Sequence, residues 1–348
     1  LNFKKNEKSK TKLIIKGNHN NQNKLNFTEI LIKENNNKIN FENLLLDDDN
    51  LIIKIDKIDL KYLDKENKKN ELIILRNKNN NYNINGPSFN ANKLIDNLLN
   101  STNDENSKIF KSDINLILKI DKVLIDKKNI LENLSGKLHI KKNKITKGDI
   151  LGFFEQDGQL KFTINTNDNG EKITTLNSSK AKSIVDRYKF IKGFEGGFLD
   201  FYSVKKNNIS NSVLIIDNFK VQEVPVLAKL LSLASLQGIA DLLTGEGIRF
   251  TNFEMNFSNN KDLMTINELY AIGPSISLLM DGYIQSESLI SLRGTLVPAT
   301  TINRTIASIP LIGDLLIGKK VGEGVFGVSF KIKGPPKNLK TTVNPIKT

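Results

Sequence analysis

Glycine spacing gives the chain one match to a nucleotide-binding motif. The segment 322–327 reads G-E-G-V-F-G, a literal G-x-G-x-x-G. In a dinucleotide-binding fold this motif opens a helix whose N-terminus holds the pyrophosphate. Here it runs directly into 328–332, an alternating segment typical of a strand, and the short remainder of the chain has no room for the catalytic motifs of a kinase. The match therefore indicates a turn that enters a strand.

Other catalytic chemistry has few residues to work with. The two histidines, His19 and His139, lie in polar stretches with no second ligand at metal-binding spacing. Cysteine is absent, no G-x-S-x-G nucleophile motif occurs, and nothing marks two carboxylates as a glycosidase pair. We therefore predict no catalytic residue, no metal site and no cofactor, and we expect that the protein is not an enzyme.

The acidic run at residues 47–49 suggests calcium at first sight. An EF-hand loop needs D-x-D-x-D-G with a glutamate at its twelfth position, and that pattern is missing here. We therefore interpret the run as a solvated turn.

The chain is basic, with 51 Lys and Arg against 38 Asp and Glu and a formal net charge of +13. Such a charge suits nucleic acid or an anionic membrane surface. However, the lysines are spread along the chain and often lie next to acidic residues, and most phenylalanines occupy strand positions. Runs of Lys, Asn and Ile are also what AT-rich codons encode. We therefore attribute the charge to codon bias and expect no nucleic-acid partner.

Alternation of apolar and polar residues dominates the chain and predicts half-buried strands. The pattern occurs at residues 51–55, 114–120, 160–164, 253–257, 276–280, 290–296 and 326–332. Clusters of Asn, Gly, Asp and Lys between these segments are typical of hairpin turns, which favours antiparallel pairing. We therefore predict a mainly β protein whose sheet has one apolar and one polar face.

Three helices are predicted within this pattern, at residues 91–99, 179–190 and 224–243. Pro225 suits the first turn of the longest helix, and Gly245 and Gly247 suit its end. Its apolar stripe includes Leu230 and Leu231, so we interpret it as an amphipathic helix that caps the sheet. A membrane-surface helix is the alternative, although this segment has too few basic residues for one.

Membrane and targeting segments are not visible in the sequence. No apolar segment reaches the roughly 18 residues of a membrane-spanning helix, and there is no signal peptide. Since the chain opens on Leu1 rather than Met, we interpret it as a fragment or processed piece.

An ordered set of short motifs runs through the last two thirds of the chain. It comprises G-P-S-F-N-A at 86–91, G-F-E-G-G at 193–197, P-V-L-A-K-L-L-S-L-A-S-L-Q-G at 225–238, T-G-E-G-I at 244–248, G-P at 273–274, D-G at 281–282, R-G-T-L-V-P at 293–298, I-P-L-I-G-D-L-L at 309–316, G-E-G-V-F at 322–326, K-G-P at 333–335 and V-N-P at 343–345. In this order the motifs from residue 219 onward resemble the C-terminal region of AsmA-like proteins, particularly the YhdP-like branch, which is related to TamB and to bridge-like lipid-transfer proteins. We expect structural roles in turns and caps for Pro225, Gly245, Gly247, Gly273, Pro274, Pro298, Pro310, Gly313, Gly322, Gly324 and Pro345.

The resemblance implies a protein of a Gram-negative cell envelope, held in the inner membrane by an N-terminal anchor outside this chain and lying mostly in the periplasm. It implies an elongated antiparallel sheet, curved into a groove and capped by the amphipathic helix, and it offers no catalytic residues. It further implies phospholipid transport between the inner and outer membrane, with phospholipid, the inner membrane and possible outer-membrane components as partners.

Three regions are expected along the chain. Residues 1–80 form an Asn/Lys-rich β region that continues the groove, 81–218 form a β-groove segment with short helices, and 219–348 form the AsmA-like C-terminal region with the helix 224–243 and terminal strands. The side chains expected to line the groove are Phe253, Met255, Phe257, Ile276, Leu278, Met280, Ile290, Leu292, Phe326, Val328 and Phe330. For each of them the alternative is ordinary core beneath the longest helix.

Two other classes of function stay open. One is a structural or assembly module of the cell envelope that holds a β-protein partner by strand addition. The other is a basic nucleic-acid binder, whose affinity would fall steeply with salt.

Overall fold

The protein is mainly β, and its described residues fall into two compact units, 1–167 and 168–348. The computed structural model describes residues 3, 9–19, 24–95, 109–141, 144–155, 158–187, 192–222, 224–234, 236–286, 288–298 and 327–345. The predicted mainly β class with a few helices is confirmed. Among the described residues, none of the helices has the length and apolar character that a membrane crossing needs.

Unit 1 is an open, curved sheet in which each strand pairs with the next along the chain. Its strands are β1 (Lys12–His19), β2 (Leu25–Glu34), β3 (Asn37–Leu46), β4 (Ile52–Leu63), β5 (Lys69–Arg76), β6 (Asn81–Asn90), β7 (Ile114–Leu124), β8 (Ile130–Lys141), β9 (Lys144–Phe154) and β10 (Gly158–Thr166), with a 3₁₀ turn at Lys78–Asn80 between β5 and β6. The pairing is antiparallel, as predicted, except between β6 and β7, which run parallel.

The parallel pair requires a crossover connection, because two parallel neighbours cannot be joined by a hairpin. Residues 91–113 make this connection. It begins with helical residues 92–95, the described part of the helix predicted at 91–99. It returns beside the start of β4, where Ile52 N donates to Ile109 O at 2.8 Å and Lys111 N donates to Ile52 O at 2.9 Å. Lys111 also forms an ion pair with Asp47 at 3.0 Å, which anchors the end of the connection.

Asparagine supplies most of the left-handed backbone conformations in the turns and bulges. Eight of the nine described non-glycine residues with positive φ are asparagines, and the ninth is Lys261. Asn35 (φ 50°) lies in the β2–β3 turn and Asn67 (φ 57°) in the β4–β5 turn. Asparagine tolerates this region better than other side chains. The Asn-rich composition is therefore used structurally, whatever its origin.

Unit 2 is an open antiparallel sheet whose strands also pair in chain order. Its elements are β11 (Lys172–Ser178), α1 (Ala181–Val185), β12 (Lys192–Lys206), β13 (Ile209–Gln222), α2 (Pro225–Leu233), α3 (Gln237–Thr244), β14 (Ile248–Asn260), β15 (Leu263–Ile272), β16 (Ile276–Gln285), β17 (Leu289–Pro298), β18 (Val328–Gly334) and β19 (Lys340–Pro345). The helix predicted at 179–190 is thus the short α1 in the described residues.

The predicted helical cap is present in unit 2, but as two helices rather than one. Pro225 begins α2 as expected, and the segment 234–236 separates α2 from α3. Leu231 and Leu243 are both fully buried against the sheet. In one straight helix their side chains would point about 120° apart, because each residue turns the helix by about 100°. The break allows both side chains to face the same core.

Aromatic rings form the centre of that core. Phe219 stacks on Phe194 at 5.1 Å and on Phe250 at 5.4 Å between ring centroids. The three rings, together with Leu231 and Leu243, belong to one cluster of buried residues beneath the helices. The helices α2 and α3 therefore cover the part of the unit 2 sheet that carries these rings.

The predicted region boundaries do not coincide with the division into units. The boundary at 218/219 falls inside β13, where Phe219 pairs with Phe250 in register with the rest of the strand. The boundary at 80/81 falls between β5 and β6, which are adjacent and paired.

Candidate functional site

Apolar side chains form one row across the whole sheet of unit 1. Following the register from β1 to β10, directly paired positions are occupied by Ile15, Ile30, Phe41, Ile58, Ile74, Ile84, Leu118, Gly136, Ile150 and Phe162. We call this set the unit 1 row, and the face that carries it the inner face. Because side chains alternate between the two faces of a strand, such a row forms only when every strand has the same register phase. The row is therefore a property of the whole sheet.

The unit 1 row remains accessible although its surroundings are buried. Ile58, Ile74 and Leu118 are half-buried, as are the other side chains of the row except Ile15, which is 57% exposed. Residues two positions along the same strands, such as Leu60 (6%) and Ile120 (5%), are nearly inaccessible. The inner face therefore presents a strip of accessible hydrocarbon that is bordered, on the side of Leu60 and Ile120, by closely packed residues.

The outer face of unit 1 has the opposite character. Lys38 pairs with Asp59 at 2.7 Å and Lys57 with Glu42 at 3.0 Å across neighbouring strands. Such partly exposed pairs contribute little to stability, so they mark a solvated surface. These two ion pairs thus lie on the face opposite the apolar row. Arg76, two residues from Ile74 on β5, shares the face of the row instead and pairs with Asp56 at 3.7 Å.

Unit 2 has an equivalent row on its inner face. From β11 to β19 the paired positions are Leu176, Phe201, Leu214, Met255, Leu269, Met280, Gly294, Phe330 and Val343, which we call the unit 2 row. Leu269 (7%) and Phe330 (5%) are buried, and the other side chains longer than glycine are half-buried. Phe330 belongs to the buried cluster beneath the helices, and Leu176, Phe201, Leu214, Met280 and Val343 pack against that cluster.

The residues predicted to line a groove all lie on this inner face where they are described. Met255, Met280 and Phe330 belong to the unit 2 row itself. The remainder occupy the neighbouring rows, and their exposure divides them. Half-buried are Phe253, Leu278, Ile290 and Leu292; buried are Phe257 (9%), Ile276 (1%) and Val328 (2%). Ile276 and Phe330 belong to the core cluster beneath α2 and α3, which corresponds to the alternative considered for them. Phe326 lies outside the described residues.

The predicted turn and cap residues lie at element ends where they are described. Gly245 directly follows α3, and Gly247 adopts φ 89° before β14. Gly273 and Pro274 lie between β15 and β16, while Pro298 and Pro345 end β17 and β19. Pro310, Gly313, Gly322 and Gly324 lie outside the described residues.

The sequence analysis missed the unit 1 row. Its signal is present as local alternation, for example Ile30 with Ile32 in β2 and Ile58 with Leu60 in β4. Asparagines and lysines at the intervening and turn positions weaken this signal, and only the register shows that the alternating positions coincide across strands.

Glycines fill two positions in the rows. At Gly294, an added Cβ would lie 2.2 Å from the Leu279 carbonyl oxygen and 2.6 Å from the Phe330 ring. At Gly136 it would lie 2.5 Å from the Asp149 carbonyl oxygen. Close approach of the next strand therefore requires glycine at both positions.

Polar candidate sites lie elsewhere and have structural explanations. The turn predicted at residues 47–49 is present, but Asp47 is only 3% exposed rather than solvated. Its carboxylate accepts from Leu51 N at 2.8 Å and Asp49 N at 3.1 Å, besides its ion pair with Lys111. Burial raises the pKa of Asp47, but these hydrogen bonds outweigh it and the net shift is downward. The carboxylate therefore holds a turn together.

Two concavities of the described residues lie on the outer faces. One of about 530 Å³ in unit 1 has a mixed lining that includes Asn115, Ile117 and His139, and one of about 390 Å³ in unit 2 includes Lys220 and Arg249. His139 Nδ1 lies 2.7 Å from Asn115 Oδ1, and Asn115 Nδ2 donates to Asn81 Oδ1 at 2.8 Å. Neither concavity includes accessible side chains of the apolar rows.

Comparison of the chain with protein-family models, with curated proteins and with solved structures gives no match.

Proposed function

We propose that the inner faces shield lipid acyl chains from water, as part of phospholipid transport between the two membranes of a Gram-negative envelope. The observation that carries the proposal is the half-buried apolar row that crosses every strand of unit 1. The proposal also rests on the resemblance of the motifs from residue 219 onward to AsmA-like proteins, and it includes a periplasmic location.

The length of the row suits an acyl chain. Ten strands spaced by about 4.8 Å give a strip of about 43 Å measured across the strands. One leaflet of a bilayer contributes about 15 Å of hydrocarbon, half of the roughly 30 Å core. A strip of this length can therefore cover an acyl chain from end to end. The acyl chain would find equivalent apolar positions at other places along the strip.

The chemistry of the row also suits a mobile hydrocarbon. Each methylene removed from water contributes about 0.8 kcal/mol, without any directional requirement. No side chain of the unit 1 row is polar, so the row provides no group that would fix one position of the ligand. The lipid headgroup stays in water. We expect the lipid to move along the row without coupling to an energy source.

Neighbouring residues on β7 provide a matched test. Leu118 belongs to the unit 1 row, whereas Ile117 points to the outer face and is 41% exposed. A photo-reactive amino acid placed at 118 should crosslink to phospholipid when the protein is expressed in a Gram-negative cell, and the same group at 117 should not. Mass spectrometry of the crosslinked species identifies the lipid.

Substitution at the same two positions gives a second readout. Leu118→Asp should reduce co-purified phospholipid several-fold, while Ile117→Asp should leave it unchanged, with urea unfolding as the check that both variants fold. Equal crosslinking at 117 and 118, or a wild-type protein that carries no lipid, would contradict the proposal.

Strand addition to a β-protein is the second candidate, and β1 favours it. Within the described residues β1 pairs only with β2, and its Leu13 is 59% exposed. Unpaired strand edges recruit further strands. Photo-crosslinking from Ile14 to an outer-membrane β-barrel, without retained lipid, would support this function over lipid shielding.

A further inference from the structure

The outer face of unit 2 exposes two aromatic side chains on one strand. Phe198 is 55% exposed and Tyr202 is 47% exposed, and both project from β12 on the side opposite the unit 2 row. Asp200 lies between them and projects from the same face. Two exposed aromatic rings on either side of a carboxylate on one strand therefore form a local feature of this face.

Carboxylates surround these rings. Asp217 is paired directly with Phe198 across β12 and β13. Asp200 on β12 pairs with Ile215 on β13, which in turn pairs with Glu254 on β14. Glu268 lies on β15, where it pairs with Asn256 of β14. With strands about 4.8 Å apart and residues about 3.3 Å apart along a strand, all of these groups lie within roughly 20 Å. We call Phe198, Tyr202, Asp200, Asp217, Glu254 and Glu268 the acidic aromatic face.

None of the four carboxylates of this face forms an ion pair with a described lysine or arginine. Asp200 accepts from the Asn177 amide at 2.5 Å and Asp217 from the Asn252 amide at 2.7 Å. Glu254 accepts from Asn256 and from the Tyr270 hydroxyl. In unit 1, by contrast, Asp59, Glu42 and Glu29 each have a lysine partner within 3.0 Å. A chain with net charge +13 thus carries a face with uncompensated negative charge.

The pKa of Tyr270 is raised in part by the same carboxylates. Burial, the hydrogen bond to Glu254 and the charges of Glu254, Glu268 and Asp217 together raise its pKa to about 12. The carboxylates therefore act on the same region of the sheet.

We propose that the acidic aromatic face docks a lysine- and arginine-rich segment of a protein partner. Carboxylates accept hydrogen bonds from guanidinium groups, often in pairs, and the exposed rings offer cation–π contacts to the same side chains. Charge complementarity thus selects a basic polypeptide and disfavours nucleic acid and anionic lipid. This surface lies on the opposite face from the unit 2 row, so the inference does not depend on lipid shielding.

Fluorescence anisotropy with the full chain tests the proposal. The probe is a short labelled peptide of alternating arginine and serine, compared with a glutamine–serine peptide of the same length. Because the whole protein is positive, long-range repulsion opposes binding of the basic peptide, so net charge alone does not produce binding. We expect the wild type to bind the arginine peptide, more weakly as salt rises, and not to bind the glutamine peptide.

Variants locate the binding. Asp200→Asn with Glu268→Gln should weaken binding by about fivefold or more, since two exposed charge pairs are lost. Phe198→Ser with Tyr202→Ser should also weaken it, at unchanged charge. The matched control, Asp59→Asn with Glu132→Gln, makes the same change in net charge in unit 1 and should leave binding within about twofold.

Several outcomes would overturn the proposal. They are absence of binding by the wild type, equal binding by the acidic-face and control variants, or sedimentation showing self-association that the acidic-face variant abolishes. The last would identify a second copy of the chain as the occupant. Urea unfolding confirms that each variant is folded before it is compared.

Discussion

Tyr270 and Glu254 form a hydrogen bond that makes unit 2 sensitive to alkaline pH. Burial first, then the bond to Glu254 and the acidic neighbours, raise the pKa of Tyr270 from 10.0 to about 12. Because the folded state disfavours the phenolate, this contribution to stability is complete below about pH 10 and is lost as pH rises through about 12. We expect urea unfolding midpoints to fall across that range in the wild type and to fall less in Tyr270→Phe. Tyr283→Phe, on an exposed ring, should behave like the wild type.

Gly294 is the residue at which strand spacing is most tightly constrained by an apolar neighbour. An added Cβ would meet both backbone and the Phe330 ring, so Gly294→Ala should destabilise unit 2 by about 2 kcal/mol or more in urea unfolding. Gly238, in α3, has nothing within 4 Å of the same added atom. Gly238→Ala should therefore be neutral or stabilising by up to about 0.5 kcal/mol. An equal effect of the two substitutions would contradict the close approach described at Gly294.

At the scale of elements, the cap made by α2 and α3 depends on leucines that point inward. Leu231 is fully buried, whereas Leu233 on the same helix is 49% exposed. Leu231→Ala should reduce the free energy of unfolding by roughly 2–5 kcal/mol, and Leu233→Ala should change it by less than about 0.5 kcal/mol. Denaturant titration of both variants measures the difference, and similar losses would mean that the cap is not packed as described.

Element type and the antiparallel direction of pairing were predictable from the sequence, but the register and the parallel β6–β7 pair were not. Alternation correctly indicated strands such as β7, β14 and β16, and Pro225 correctly marked a helix start. The break between α2 and α3 was missed because Ala234 and Leu236 carry no helix-breaking signal; their position reflects the core below. The alternation of apolar and polar residues correctly placed Met255 and Met280 on the inner face. That they form one row with Leu214 and Phe330 depends on long-range strand pairing, which no local sequence pattern contains.

At the scale of the molecule, the division into two units predicts that residues 168–348 form a cooperative structure by themselves. This unit has its own core beneath α2 and α3, and β11 pairs with β12. Expressed alone, it should show the circular dichroism of a β protein and a single urea transition that Leu231→Ala shifts to lower denaturant. A piece that stays unfolded would show that the core of this unit is insufficient on its own.

The parallel pairing of β6 with β7 has a consequence for the order in which unit 1 acquires its structure. Hairpins from β1 to β6 and from β7 to β10 close over short loops, which are fast to form, whereas joining β6 to β7 closes the longer connection of residues 91–113. We therefore expect two meanders to form early and to associate in a slower, rate-limiting step. Until that step the exposed edges of β6 and β7 are open to other chains, so refolding yield should fall with protein concentration.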